Sequence, residues 1–271
     1  TEGLIDSHQL ITHYIPELEK SGFADATVQE LLDMTTAVQY SQEYTNPHAD
    51  IWKFSEAGSH YKQHKSSKPQ NYYEYLQSVK KKENLNHGEV FGYKTINSEV
   101  LGWLISRVTG KCITELISEK IWRPMGAHYD GYYQIDTAGK AFSGGGFNLN
   151  LRDMAFFGEM IRNKGKLNNK QILSPKVMSK IYSGGSTRAF SKSGEFPLLK
   201  GWSFHNMWWI TNNENKAFMA RGVHGQALYI DPTAQMVIAA FASNPLSSNK
   251  YIDPLALPAY KAIADYLINK I

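Results

Sequence analysis

The last third of the chain most narrows what it can fold into. Residues 202–210, 216–221, 227–230 and 235–242 are rich in aromatic and aliphatic side chains and are bounded by Asn, Gly, Asp and Pro, the composition of strands and their turns. The gaps between them are five, five and four residues long. That is too short for the crossover a parallel pair requires, so the sheet must be antiparallel. Asn212-Asn213-Glu214-Asn215 predicts a hairpin turn, and a helix over 257–268 would cover one face of the sheet.

The preceding part reads as helical. Thr27 and Glu30 have the spacing of a capping box before a short helix ending near Met34. Residues 39–87 form a polar, aromatic and basic excursion with at most two helices, of which 70–82 is the better candidate. Val100, Leu101, Leu104, Ile105 and Val108 recur at helical spacing over 97–108, with Asn97 or Ser98 as cap and Gly110 as stop. Further helices are expected over 113–122, after Asn150 to near Gly165, and from Ser174-Pro175 onward. Helices followed by an antiparallel sheet predict an α+β architecture, mainly helical over about 20–190, with strands and a last helix over about 200–271.

Composition then excludes several functions. The longest uncharged apolar run, residues 236–242, is far too short to cross a bilayer, so no membrane span is expected. A single cysteine, Cys112, excludes an internal disulfide and any thiolate-only metal site. The net charge of +4 is too small to argue for a nucleic-acid partner. His60 and His64 stand four apart, but Tyr61 follows His60 where a metalloprotease helix has glutamate. Lys62, Lys65 and Lys68, with Lys80-Lys81-Lys82, read as solvated faces. Neither a metal nor a cofactor is expected.

Three clusters carry possible chemistry. In Phe91-Gly92-Tyr93-Lys94-Thr95-Ile96-Asn97 a tyrosine precedes a helix, with a lysine and a hydroxyl beside it; the residues alone favour packing, with the phenol hydrogen-bonded, over catalysis. In Arg221-Gly222-Val223-His224-Gly225-Gln226, glycines flank a short segment between strands. They permit close approach of a ligand to main-chain N–H groups, as in an oxyanion hole, or merely a tight hairpin. Gly144-Gly145-Gly146-Phe147-Asn148 reads as a turn or a close backbone approach.

Taken in order, these pieces resemble the serine β-lactamase-related hydrolases: class C β-lactamases, DD-peptidases, esterases and, most closely, the 6-aminohexanoate-dimer hydrolase branch. The resemblance is carried by Gly3-Leu4-Ile5-Asp6, His13-Tyr14-Ile15-Pro16-Glu17-Leu18 and the stretch from Thr27 to Thr35. It continues through Phe91-Gly92-Tyr93 to Leu101-Gly102, Thr109-Gly110, Trp122-Arg123-Pro124-Met125-Gly126 and Gly145-Gly146-Phe147-Asn148 with Arg152-Asp153. Gly222-Val223-His224-Gly225-Gln226 to Asp231-Pro232 completes it.

The resemblance implies a β-lactamase/transpeptidase-like fold and an acyl-enzyme mechanism on small amide or ester substrates. Tyr93 matches the family's acid/base tyrosine, whose phenol must be stabilised as phenolate or poised as donor by a nearby lysine. Thr95 stands where the family has asparagine or serine. Val223 matches an oxyanion donor, with Gly222 and His224 beside the substrate and Trp209 as a pocket aromatic. The Lys-Thr-Gly triplet is absent from the Gly222 region, which speaks against binding a β-lactam carboxylate.

The resemblance also places the nucleophilic Ser-x-x-Lys helix and the first strands of the sheet before Thr1. The chain opens without methionine, like the interior of a longer protein, and by itself is expected to be inactive. Ser59-His60-Tyr61-Lys62, Ser78-Val79-Lys80-Lys81 and Ser247-Ser248-Asn249-Lys250 match the motif formally but stand in the wrong order relative to Tyr93. An absent N-terminal segment, or a second copy of the chain, is expected to complete the sheet. The alternatives are a non-catalytic protein that binds peptides or peptidoglycan fragments in the same cleft, and a surface-binding module acting through the lysine-rich excursion.

Overall fold

The computed structural model describes residues 2–59 and 69–270. His60, His64, Lys62, Lys65, Lys68 and most of the Ser59–Lys62 match lie outside the described residues. The chain divides into a helical unit, Glu2–Ile117 with Gly131–Asn148, and a sheet unit, Ser118–Asp130 with residues 149–270.

In the helical unit, α1 (Val28–Leu32) starts on the expected capping box. Thr27 Oγ1 accepts from the Glu30 N–H at 3.2 Å, and Glu30 Oε2 accepts from the Thr27 N–H at 2.7 Å. Helices α2 (Asp50–Gly58) and α3 (Tyr72–Ser78) follow. The helix expected over 70–82 stops at Ser78 because Val79 turns extended (φ −64°, ψ 138°) and Lys81 bridges to Val38.

Helix α4 (Thr95–Thr109) is buried on all sides over its first ten residues and closes on left-handed Gly110 (φ 66°). It begins two residues before the expected cap. Asn97 is fully buried and accepts from Thr36 Oγ1 at 2.8 Å instead of capping the helix. A small hairpin, β1 (Tyr132–Tyr133) with β2 (Phe147–Asn148), completes this unit.

In the sheet unit, the helix expected over 113–122 gives way to a π turn over Ser118–Trp122 and a short turn Arg123–Met125 with Pro124 inside it. Helix α5 (Leu151–Arg162) is capped by Asn150 Oδ1, which accepts from the Arg152 N–H at 2.9 Å. Helices α6 (Pro175–Tyr182) and α7 (Thr187–Lys192) follow.

The five-stranded antiparallel sheet runs in sequence order through β3 (Ser203–His205), β4 (Trp208–Ile210), β5 (Phe218–Arg221), β6 (Ala227–Asp231) and β7 (Met236–Ala240). The single strand expected over 202–210 is in fact a hairpin. Asn206 (φ 49°) and Met207 (φ 71°) are both left-handed and fold β3 onto β4, pairing Phe204 with Trp209. Helix α5 lies on the sheet through Gly158, where a Cβ would collide with Leu228 and Val237. Its core includes Met160, Ile161, Phe218, Leu228 and Ile230. Helix α8 (Asp253–Ile268) begins four residues before the expected start, with Pro254 in its first turn.

Candidate active site

The helical unit supplies Tyr93 and Thr95. Tyr93 is half-buried just before α4, and burial, with a smaller contribution from Tyr44, pushes its phenol up to about 12. It is therefore neutral near pH 7 and available as a proton donor. Lys94 is buried, and its ammonium donates to the carbonyls of Thr36 and Gly92, both at 3.1 Å. The Thr95 N–H donates to Gln42 Oε1 at 2.8 Å, and Gln42 Nε2 donates to the Tyr44 hydroxyl at 3.0 Å.

The glycine run also belongs to this neighbourhood. Gly144 N–H donates to Glu99 Oε2 at 3.1 Å, and a Cβ on Gly144 would strike Thr95. Thr95, Glu99 and Gly102 share one face of α4, and Gly102 has no room for a side chain beside Ser143. The segment is both a turn, closed by the Gly146 N–H donating to the Phe142 carbonyl at 2.8 Å, and a place of close backbone approach. Burial pushes Glu99 up to about 8.

The sheet unit supplies Gly222, Val223 and His224 in the turn between β5 and β6. Its N–H groups are almost all taken. Gly222 donates to the Gln226 carbonyl at 2.9 Å, His224 to the Ser247 carbonyl at 3.0 Å, Gly225 to Asn249 Oδ1 at 3.0 Å and Gln226 to the Val223 carbonyl at 3.3 Å. Val223, 36% exposed, is the exception: among the described residues its N–H is bonded to no acceptor. His224 Nδ1 lies 2.7 Å from the Asn244 carbonyl. A carbonyl only accepts, so Nδ1 carries a proton, and Nε2 is the ring nitrogen left free of the Asn244 carbonyl.

Trp209 is placed in an aromatic cluster with Phe190, Phe196 and Phe204, and is 5% exposed. The Arg221 guanidinium lies 4.9 Å from its ring centre. Arg221 Nη2 also donates to both carboxylate oxygens of Asp253, at 2.5 and 2.7 Å, which ties the end of β5 to the start of α8.

Gln42, Tyr44, Asn244 and Asn249 escaped sequence reasoning. Gln42 and Tyr44 fall in the excursion of weak periodicity, and Asn249 sits inside a formal Ser-x-x-Lys match. Neither that match nor Ser78–Lys81 opens a helix of the expected kind. Ser78 ends α3 and donates to the Tyr75 carbonyl at 2.7 Å, while Ser248 precedes a three-residue 3-10 turn.

Comparison with known proteins identifies the family and the fold. A family model described as Beta-lactamase matches residues 1–260. The 6-aminohexanoate-dimer hydrolase of Paenarthrobacter ureafaciens is 30% identical over 244 residues, which is 90% of this chain but 61% of that protein. The chain thus spans less than two thirds of that relative's length. A Bacillus anthracis structure provisionally named 6-aminohexanoate-dimer hydrolase superposes with a TM-score of 0.86 at 34% identity, over 98% of this chain and 68% of its own. A family VIII carboxylesterase shares the fold at 18% identity, with a TM-score of 0.66 over 96% of this chain and 77% of its own. With the family model matched over residues 1–260 of the chain and an antiparallel sheet flanked by helices, the chain belongs to the Beta-lactamase family.

Proposed function

We propose that the chain carries the acid/base and oxyanion-binding parts of a serine hydrolase that cleaves small amide or ester bonds through an acyl-enzyme. The observation that carries this reading is the Val223 N–H, the one unbonded donor in a turn whose neighbouring N–H groups are all bonded. The nucleophile is the serine of a Ser-x-x-Lys element preceding Gly3-Leu4-Ile5-Asp6. Its Oγ adds to the carbonyl carbon while the Ser-x-x-Lys lysine takes the hydroxyl proton. Val223 N–H then donates to the oxygen that gains negative charge. As the carbon–nitrogen or carbon–oxygen bond breaks, the leaving group takes a proton from the neutral Tyr93 phenol. Water then gives a proton to the Tyr93 phenolate and adds to the acyl carbon, and the serine oxygen departs with the proton held by the lysine, which restores all three groups.

Thr95 and Gly222 border the substrate in this reading, and His224 Nε2 accepts from a substrate N–H or O–H. Trp209, 5% exposed, reaches a substrate only along the edge of its ring or through Arg221, whose guanidinium lies against it. A short linear amide, the substrate class named in the Paenarthrobacter relative, fits this set of groups.

The same reading assigns the outer edge of the sheet to the chain's own upstream segment. Among the described residues β7 pairs only with β6. Helix α8 exposes an apolar stripe through Leu255 (70%), Ile263 (47%) and Tyr266 (59%). An unpaired edge beside an uncovered apolar face calls for a further strand and helix.

The test is intact mass and peptide mapping after incubation with a fluorophosphonate, on the protein extended upstream through its native reading frame. One adduct on a serine before Gly3 is expected, on a species that light scattering shows to be a monomer. An adduct on Ser78 or Ser247 would overturn the placement of the nucleophile, and no adduct would favour a non-catalytic binder. A dimer would assign the sheet edge to a second copy. Val223→Pro removes the N–H, at the cost of exchanging the side chain for a ring, and should slow acylation by about a hundredfold. The preceding Gly222 is already extended (φ −99°, ψ 169°), as a residue before proline must be.

A further inference from the structure

We infer that Asn249 is a positioning residue that sets the direction of the Val223 N–H. This rests on the reading of that N–H as the oxyanion donor.

The argument begins with one peptide plane. The Gly222 carbonyl and the Val223 N–H belong to the same trans peptide unit, so they point in opposite directions and turn together. Asn249 Nδ2 donates to the Gly222 carbonyl at 2.9 Å. Rotating the plane so that the Val223 N–H swings away would break that bond. The other half of the same carboxamide, Oδ1, accepts from the Gly225 N–H at 3.0 Å. One side chain thus occupies a donor and an acceptor position on either side of Val223 and His224, as a short piece of neighbouring strand would.

The turn requires such a brace. His224 adopts a left-handed conformation (φ 61°), which is unfavourable for a residue with a Cβ. Gly225 (φ 91°) has no space for a side chain against Asn244. Asn244 fixes the far side of the turn, its Nδ2 and backbone N–H both donating to the His224 carbonyl, at 2.9 and 3.1 Å. That clamp acts on the peptide after His224, whereas among the described residues only Asn249 donates to the carbonyl that shares a plane with the Val223 N–H. An oxyanion donor is effective only when it is aimed before the charge develops, because reorganising it during reaction cancels its benefit.

The experiment is a double-mutant cycle on the upstream-extended protein, measuring kcat and KM for a p-nitrophenyl ester. Asn249→Asp keeps the acceptor for Gly225 and replaces the donor facing Gly222 with oxygen. Asn249→Ala is the second variant, should the first fail to fold. Either should lower kcat by about tenfold or more, with KM within about twofold. In a Val223→Pro background the same change should have no further effect, because the N–H that Asn249 aims is gone. An equal loss in both backgrounds, or no loss in either, would overturn the positioning role while leaving the oxyanion reading intact. An unimpaired Val223→Pro single variant would overturn the oxyanion reading, and this inference with it.

Discussion

Tyr93 and Val223 are braced in different ways. Tyr93 precedes a helix whose first turns are held by groups far back in the sequence: Gln42, Thr36 and the Thr36 carbonyl, which are 53, 61 and 58 residues from their respective partners Thr95, Asn97 and Lys94. Val223 lies in a turn held by residues 20 to 27 positions further on, and their contacts there fall mainly on backbone atoms. The difference teaches where each half is vulnerable. Truncating a buried side chain should loosen the Tyr93 side, whereas the Val223 turn should respond to whatever changes peptide orientation or the anchoring of its strand.

The largest expected effect tests that anchoring. Asp253→Ala leaves the Arg221 guanidinium buried without its carboxylate, and removing one partner of such a pair costs roughly 3–5 kcal/mol. Urea unfolding should show it, and a loss under about 1 kcal/mol would mean that the turn does not depend on the pairing of β5 with α8. Next, on the Tyr93 side, Asn97→Ala removes the acceptor for Thr36 Oγ1 and the contact with Met34 Sδ. It should cost about 1–3 kcal/mol, and a neutral outcome would erase the contrast between the two sides.

The last expected effect is a slope with pH. Glu99 has its folded-state value raised to about 8 from 4.5, so the folded state holds its proton more tightly than the unfolded one. Its contribution to stability is complete below about pH 4.5 and is lost as pH rises towards 8, by at most about 1.4 kcal/mol per pH unit. Glu99→Gln should remove that decline, so melting curves of the two proteins that stay parallel between about pH 5 and 8 would show Glu99 ionised throughout.

The elements that were readable from the sequence are those whose signals are local. Thr27 with Glu30, Asn150, Pro175 and Gly110 each mark a helix end by their own side chain or backbone preference, and each lies where the spacing put it. The hairpin at Asn206-Met207 was hidden because methionine is a poor marker of left-handed backbone and the tryptophans that follow read as continuous strand. Asn97 was read as a cap for its residue type, yet its burial against Thr36 is decided by tertiary packing that no short window contains. The candidate residues divide likewise: Tyr93 and Gly222–Gly225 stand out as motifs, while the contacts of Asn249 and Gln42 form only once distant segments meet.

The left-handed backbone at His224 has a consequence for how this turn can diversify. A φ of 61° admits glycine, asparagine, aspartate and histidine far more readily than valine, isoleucine or threonine. The side chains that evolution or an engineer can set beside Val223 are therefore screened by a dihedral angle before any substrate is considered. Short polar groups pass that screen and branched apolar ones do not, so changing the appetite of this turn for greasier substrates would mean rebuilding its backbone first.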